Sequence, residues 1–143
     1  MKTFIVKPIS IVRDWYLLDA SGKTLGRFAS KIAMILMGKN KCLYAQHIDI
    51  GDYVIVVNAK KIMISGNKKK DKIYYRHSGY MGGLKSVNFE KLLSTYPERI
   101  IFYAVKGMLP KNILGNKMLK KLKIYAYDKH LHVAQNPKKI EVF

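Results

Sequence analysis

The stretch Tyr53-Val54-Ile55-Val56-Val57-Asn58-Ala59, YVIVVNA, is an almost unbroken run of apolar and β-branched residues. A strand with one wet face alternates in polarity, whereas a strand covered on both faces does not, so this run predicts a central parallel strand. Parallel strands need crossover connections, usually helical. The upstream sequence supplies one. Asp14 to Ala20, DWYLLDA, reads as a short strand ending in a Ser21-Gly22 turn. From Thr24, an N-cap residue type, Leu25, Phe28, Ala29, Ile32, Ala33 and Leu36 recur at helical spacing, and Gly38 can close the helix. Strands alternating with helices predict an α/β layered domain.

Downstream, Ile62 and Ile64 alternate as in a short strand, Ser65-Gly66-Asn67 turns the chain, and Lys68-Lys69-Lys70 precedes Ile73-Tyr74-Tyr75. This predicts a protruding hairpin with a basic tip. Asn88 is placed to cap a helix through Leu93. Thr95 with Glu98 three residues later has the form of a capping box, with Pro97 in the first turn of a second helix, Glu98 to Lys106. The last third reads as a break at Gly107 and Pro110, a short basic helix near Asn116 to Leu122, a strand Lys123 to Tyr127 and an irregular tail. No repeat, low-complexity tract or linker divides the 143 residues, which read as one domain, 1–143.

The chain carries 27 Lys and Arg against 9 Asp and Glu, a formal charge of +18, yet 49% of it is hydrophobic, enough to fold. So much charge on a small body favours a polyanionic partner, RNA, DNA or an anionic membrane surface, over an acidic small molecule. The lone Cys42 cannot form an internal disulfide. The opening MKTFIVKP, with Lys2 and Lys7 around a very short apolar stretch, is too short for a signal peptide. The apolar windows Ile32 to Gly38 and Ile100 to Val105 fall well below the roughly 18 residues of a membrane span. A soluble intracellular protein is expected.

Three constellations fit ordinary structural roles better than chemistry. Gly22-Lys23-Thr24 after a strand looks like the end of a phosphate-binding loop, but that loop needs a glycine where Leu17 stands. His47, His77, His130 and His132 cannot build a thiolate-completed metal shell with one cysteine. Asp49 and Asp52 near His47 form the one acid-bearing cluster that a hydrolase reading could use, and Asp52 also reads as a plain turn residue. No catalytic residue, cofactor or metal is expected.

The basic segments point elsewhere. Lys23, Arg27 and Lys31 recur every four residues, opposite the apolar positions, as a cationic stripe. Within IYYRHSGYMGG, Ile73 to Gly83, Tyr74, Tyr75 and Tyr80 offer stacking surfaces. Arg76 and His77 offer phosphate or base contacts, and Gly79, Gly82 and Gly83 let backbone approach a ligand. Lys106, Lys111, Lys117, Lys120, Lys121 and Lys123 lie in a run with no acid, as do the cations between Lys23 and Lys41. A solvated face mixes signs, so uncompensated runs predict a polyanion-binding surface. A membrane-lying helix is disfavoured because the run is short and Leu119 and Leu122 suit the core.

VKGMLPKNILGN, Val105 to Asn116, followed by KMLKKLKIYA, closely resembles the signature of the L-thirteen family of large-subunit ribosomal proteins, in its bacterial form. The pattern is an aliphatic residue, Lys-Gly-Met-aliphatic-Pro, four residues, a glycine, and then Leu122, Ile124 and Tyr125 as a spaced aliphatic and aromatic set. DWYLLDASGKTLGR, GDYVIVVNAKKI, YYRHSGYMGGLKS and AQNP carry the likeness over nearly the whole chain. The resemblance implies a three-layer α/β domain with a mainly parallel four-stranded sheet. It also implies a non-catalytic protein that binds large-subunit ribosomal RNA and acts early in assembly of that subunit, in the bacterial cytoplasm or in an organelle with its own ribosomes, beside other large-subunit proteins. The family's basic and glycine-bearing positions fall on Lys23, Gly26 and Arg27, on Tyr75, Arg76, His77, Gly82 and Gly83, and on Lys106, Gly107, Met108, Pro110, Lys111 and Gly115.

The expected RNA-binding set is therefore Lys23, Arg27, Lys31, Lys68, Lys69, Lys70, Tyr75, Arg76, His77, Tyr80, Lys106, Met108, Lys111, Lys117, Lys120 and Lys121. Asn112-Ile113 stand where the family usually has Gly-Pro and Asn116 where it has a basic residue, which predicts a less rigid loop lacking one phosphate contact. Tyr127 in place of a glycine, and Ala45-Gln46 in place of Thr-Pro, predict altered local turns.

Overall fold

The computed structural model describes residues 6–7 and 10–141. The reading of the opening segment rests mostly on residues 1–5 and 8, outside that range. Strand β1 (Trp15–Asp19), helix α1 (Leu25–Met37) and strand β2 (Tyr53–Val57) form the expected crossover unit. The two strands pair in parallel, Trp15 opposite Tyr53 and Asp19 opposite Val57. Val54, Ile55 and Val56 are fully buried, as the unbroken apolar run predicts.

Gly38 ends α1 at φ 77 and donates its N–H to Ile35 O at 3.0 Å. A Cβ there would lie 3.0 Å from Gly51 N, so the end of α1 seats directly on the chain entering β2. Thr24 precedes α1, but its side chain makes no capping bond. Backbone does that work: Leu25 N–H donates to Met63 O and Met63 N–H to Lys23 O, each at 2.9 Å.

That bridge removes the expected strand at Ile62 and Ile64. After Asn58, at φ 58, the chain makes a 3-10 turn, Ala59–Lys61, and Ile62 drops into the core. Lys68–Asp71 is a single helical turn, α2. The hairpin lies one element later than expected: β3 (Ile73–His77) pairs antiparallel with β4 (Leu84–Asn88). Its loop holds Gly79 at φ 93 and Gly82 at φ 70, conformations that glycine adopts without strain. Lys68, Lys69 and Lys70 are exposed before the hairpin rather than at its tip.

Helices α3 (Phe89–Thr95) and α4 (Pro97–Met108) follow. The expected capping box does not form, because Thr95 belongs to α3 and its hydroxyl donates to Lys91 O at 2.8 Å. Pro97 opens α4 behind Tyr96. Helix α5 (Ile113–Lys120) starts earlier than expected, since the Asn112 side chain accepts the Gly115 N–H at 2.7 Å. The departure at Asn112 thus supplies a helix cap. Strand β5 (Leu122–Ile124) pairs with β2 and stops short of Tyr127, although Asn58 N–H still donates to Tyr127 O at 3.0 Å. Within the tail, β6 (Lys138–Lys139) pairs with β1, giving a parallel sheet ordered β5-β2-β1-β6.

On one face of the sheet Leu18, Val54 and Val56 meet Phe28, Ile32 and Leu36 of α1 and Ile100, Ile101 and Val105 of α4, all essentially inaccessible to water. Each such side chain contributes about 1.5–3 kcal/mol of hydrophobic stabilisation. On the other face Trp15 stacks on Tyr53 with centroids 4.3 Å apart, and His132 of the tail lies 5.2 Å from the Trp15 ring. Helices, sheet and covering tail make the three-layer α/β arrangement.

Candidate nucleic-acid interface

Side chains alternate along β3, so Tyr74 and Arg76 share one side and Tyr75 and His77 the other. Tyr74 is half-buried with its ring 6.1 Å from that of Tyr103, and burial raises its phenol pKa. Arg76 stands directly opposite Lys85 of β4. Arg99, Tyr103 and Lys106 lie four and three residues apart along α4, so one helix face carries all three, away from Ile100, Ile101 and Val105. These groups line a cleft of about 640 Å³ between the hairpin and α4. A second hollow, of about 440 Å³, shares Tyr103 and Lys106 and continues to Pro110, Lys111 and Gly115.

The structure therefore joins Tyr75, Arg76 and Lys106 of the expected set around one cleft, with Lys111 in the adjoining hollow. It adds Lys85, Arg99 and Tyr103, which the sequence reading missed. Their signal was present in the four-and-three spacing on α4, whereas Lys85 needed the correct hairpin register. Arg99 is further held over the Tyr96 ring at 4.3 Å. At the hairpin loop His77 Nδ1 accepts the Gly79 N–H at 3.0 Å, and Tyr80 is exposed.

The remaining cations occupy other surfaces. Arg27 and Lys31 are exposed on α1 beside a half-buried Lys23, Lys68 to Lys70 are exposed on α2, and Lys117 and Lys120 are exposed on α5. None of these lines the hairpin cleft. Met108 lines a separate hollow with Met37 and Tyr44.

Lys121 leaves the expected set. It is 5% exposed, and its ammonium donates to the Asp49 carboxylate and, at 2.8 Å, to Gly51 O. Burial pulls its pKa below the ordinary lysine value, with Asp49 acting in the opposite direction. Asp52 is not a turn residue but a fully buried carboxylate that accepts the Asp14 N–H at 2.9 Å and pairs with Lys41. Among the described residues the ion pairs are Lys41–Asp52, Lys121–Asp49 and Lys138–Asp14, so few of the basic side chains meet an internal counter-charge. Also among the described residues, no three His, Cys, Asp or Glu side chains gather as a metal site, and no helix is long and apolar enough to cross a membrane.

Comparison with known proteins agrees with the geometry. The family model described as Ribosomal protein L13 matches residues 13–131. The large ribosomal subunit protein uL13 of Francisella tularensis subsp. holarctica is 60% identical over 138 residues, covering 96% of this chain and 97% of that relative. The uL13 proteins of Alkalilimnicola ehrlichii and Vibrio parahaemolyticus are each 56% identical over 142 residues, covering 99% of this chain and 100% of each relative. A match at this identity along nearly the full length, on a parallel sheet flanked by uncompensated cations, leads to one assignment: the chain belongs to the ribosomal protein L13 family.

Proposed function

We propose that the chain is a structural constituent of the large ribosomal subunit that binds large-subunit ribosomal RNA and helps its early assembly, as one RNA-binding domain. The family is a structural, non-enzymatic one, and the chain is not an enzyme. Asp49 and Asp52, the acids a hydrolase reading would use, are tied to lysines instead. Its place of work is the cytoplasm, within the ribosome and beside other large-subunit proteins, a reading supported by bacterial relatives named as large ribosomal subunit proteins.

The observation that carries the reading is the distribution of free charge. Against 27 Lys and Arg the chain has nine Asp and Glu, only three ion pairs form among the described residues, and the exposed cations sit on α1, α2, α4, α5 and the hairpin. One duplex contact would need one face. Charge on several faces of a rigid sheet suits separate RNA segments held in their folded arrangement, with lysines on phosphates and Tyr75, Arg76 and His77 set into the RNA junction. If about six phosphates are neutralised, the logarithm of affinity for large-subunit ribosomal RNA falls with the logarithm of salt at a slope of roughly −4 to −5. A slope near zero overturns the reading, as does preference for duplex DNA in direct competition.

A further inference from the structure

Resting on that reading, we propose that the cleft between the hairpin and α4 seats a single unstacked nucleotide of the RNA. Arg76 and Lys85 face each other across the hairpin, and like charges directly opposite destabilise a strand pair. Arg99 and Lys106 approach from the other wall, and none of the four has a carboxylate partner among the described residues. Four converging cations without an internal anion fit an anionic occupant.

The rest of the lining gives its shape. Tyr74, Tyr103, Val87 and Leu92 make the cleft apolar and aromatic between the charges. Bare phosphate has no use for such a lining, and an RNA duplex is too thick to enter a cleft of about 640 Å³. That volume lies within the range of small-molecule sites, the scale of one nucleotide. A base splayed out of its helix presents a flat face that stacks on tyrosine, while its flanking phosphates reach the basic rims. The base rests on the Tyr74 and Tyr103 rings, one phosphate meets Arg76 and Lys85, and the next meets Arg99 and Lys106.

The test uses the full chain and large-subunit ribosomal RNA. Tyr103→Leu keeps apolar bulk and loses the stacking face, so affinity drops roughly 5- to 150-fold, the range set by stacking one base, while Tyr103→Phe binds as the parent does. If the parent binds with the expected salt slope and Tyr103→Leu binds equally well, the nucleotide seat is wrong and the RNA-binding reading survives. If the parent shows no salt-dependent binding, the reading itself fails. Should Tyr103→Leu not fold, ultraviolet crosslinking of the unaltered chain in reconstituted subunits decides. A single-nucleotide adduct on the peptide carrying Tyr103 supports the seat, and a crosslink from that peptide to another ribosomal protein, or none at all, overturns it.

Discussion

The ammonium of Lys41 donates to the buried carboxylate of Asp52 and also to Val12 O at 2.9 Å and Ile50 O at 3.2 Å, fastening three chain segments at the entrance to β2. Asp52 Oδ2 is buried without a hydrogen-bond partner, so that carboxylate depends on Lys41 for compensation. Removing one member of a buried pair leaves an uncompensated charge. Lys41→Met should destabilise the fold by about 3 kcal/mol, the lower end of the usual range because the lysine side chain stays 21% exposed. A denaturant titration reads this as a lower midpoint at unchanged slope; an unmoved midpoint rejects it.

Lys121 gives a pH signature. Its folded pKa lies below the ordinary 10.5, chiefly through burial, so in the alkaline window between the lowered value and 10.5 the unfolded chain binds the extra proton. Stability contributed at this site therefore rises with pH through that window. Comparing the parent with Lys121→Met isolates it from the other alkaline titrations. The difference in unfolding free energy should shift in favour of the parent as pH approaches 10.5, and a flat difference rejects the assignment.

Arg76 and Lys85 separate stability from binding. Lys85→Glu turns a repulsive cross-strand pair into an attractive one and should stabilise the hairpin by about 0.2–1 kcal/mol. The same change puts an anion in the cleft proposed to take RNA, so affinity should fall. Thermal melting and RNA titration of one preparation check both; a variant that melts lower and binds normally contradicts the prediction on each count.

Replacing Lys68, Lys69 and Lys70 together with alanine tests whether α2 meets RNA. All three are exposed and alanine is a better helix former, so the fold should persist. The salt slope of RNA binding should become shallower by about 2. An unchanged slope removes α2 from the interface.

The parallel core was legible because YVIVVNA and the Leu25-to-Leu36 periodicity each admit one physical reading. The hairpin was displaced because Ser65-Gly66-Asn67 carries a stronger turn signal than the polar alternation of β3 and β4, whose exposed faces leave no apolar pattern. Strand β6 was invisible for a related reason, since two lysines that pair with β1 through their backbone carry no apolar pattern. Charge counts located the exposed cations, but they could not distinguish Lys121 from Lys120. That difference arises where α5 gives way to β5 and turns one ammonium inward to Asp49.

Strand β6 also sets an order in time. Tyr16 is among the first sheet residues to leave the translating ribosome, but its neighbour on one side, Lys138, is among the last. Until then β1 keeps an unpaired backbone edge open to mispairing, and closing so long a loop is slow. Folding of this flank must therefore follow synthesis of nearly the whole described chain, so a nascent chain that meets RNA early does so with its sheet unfinished.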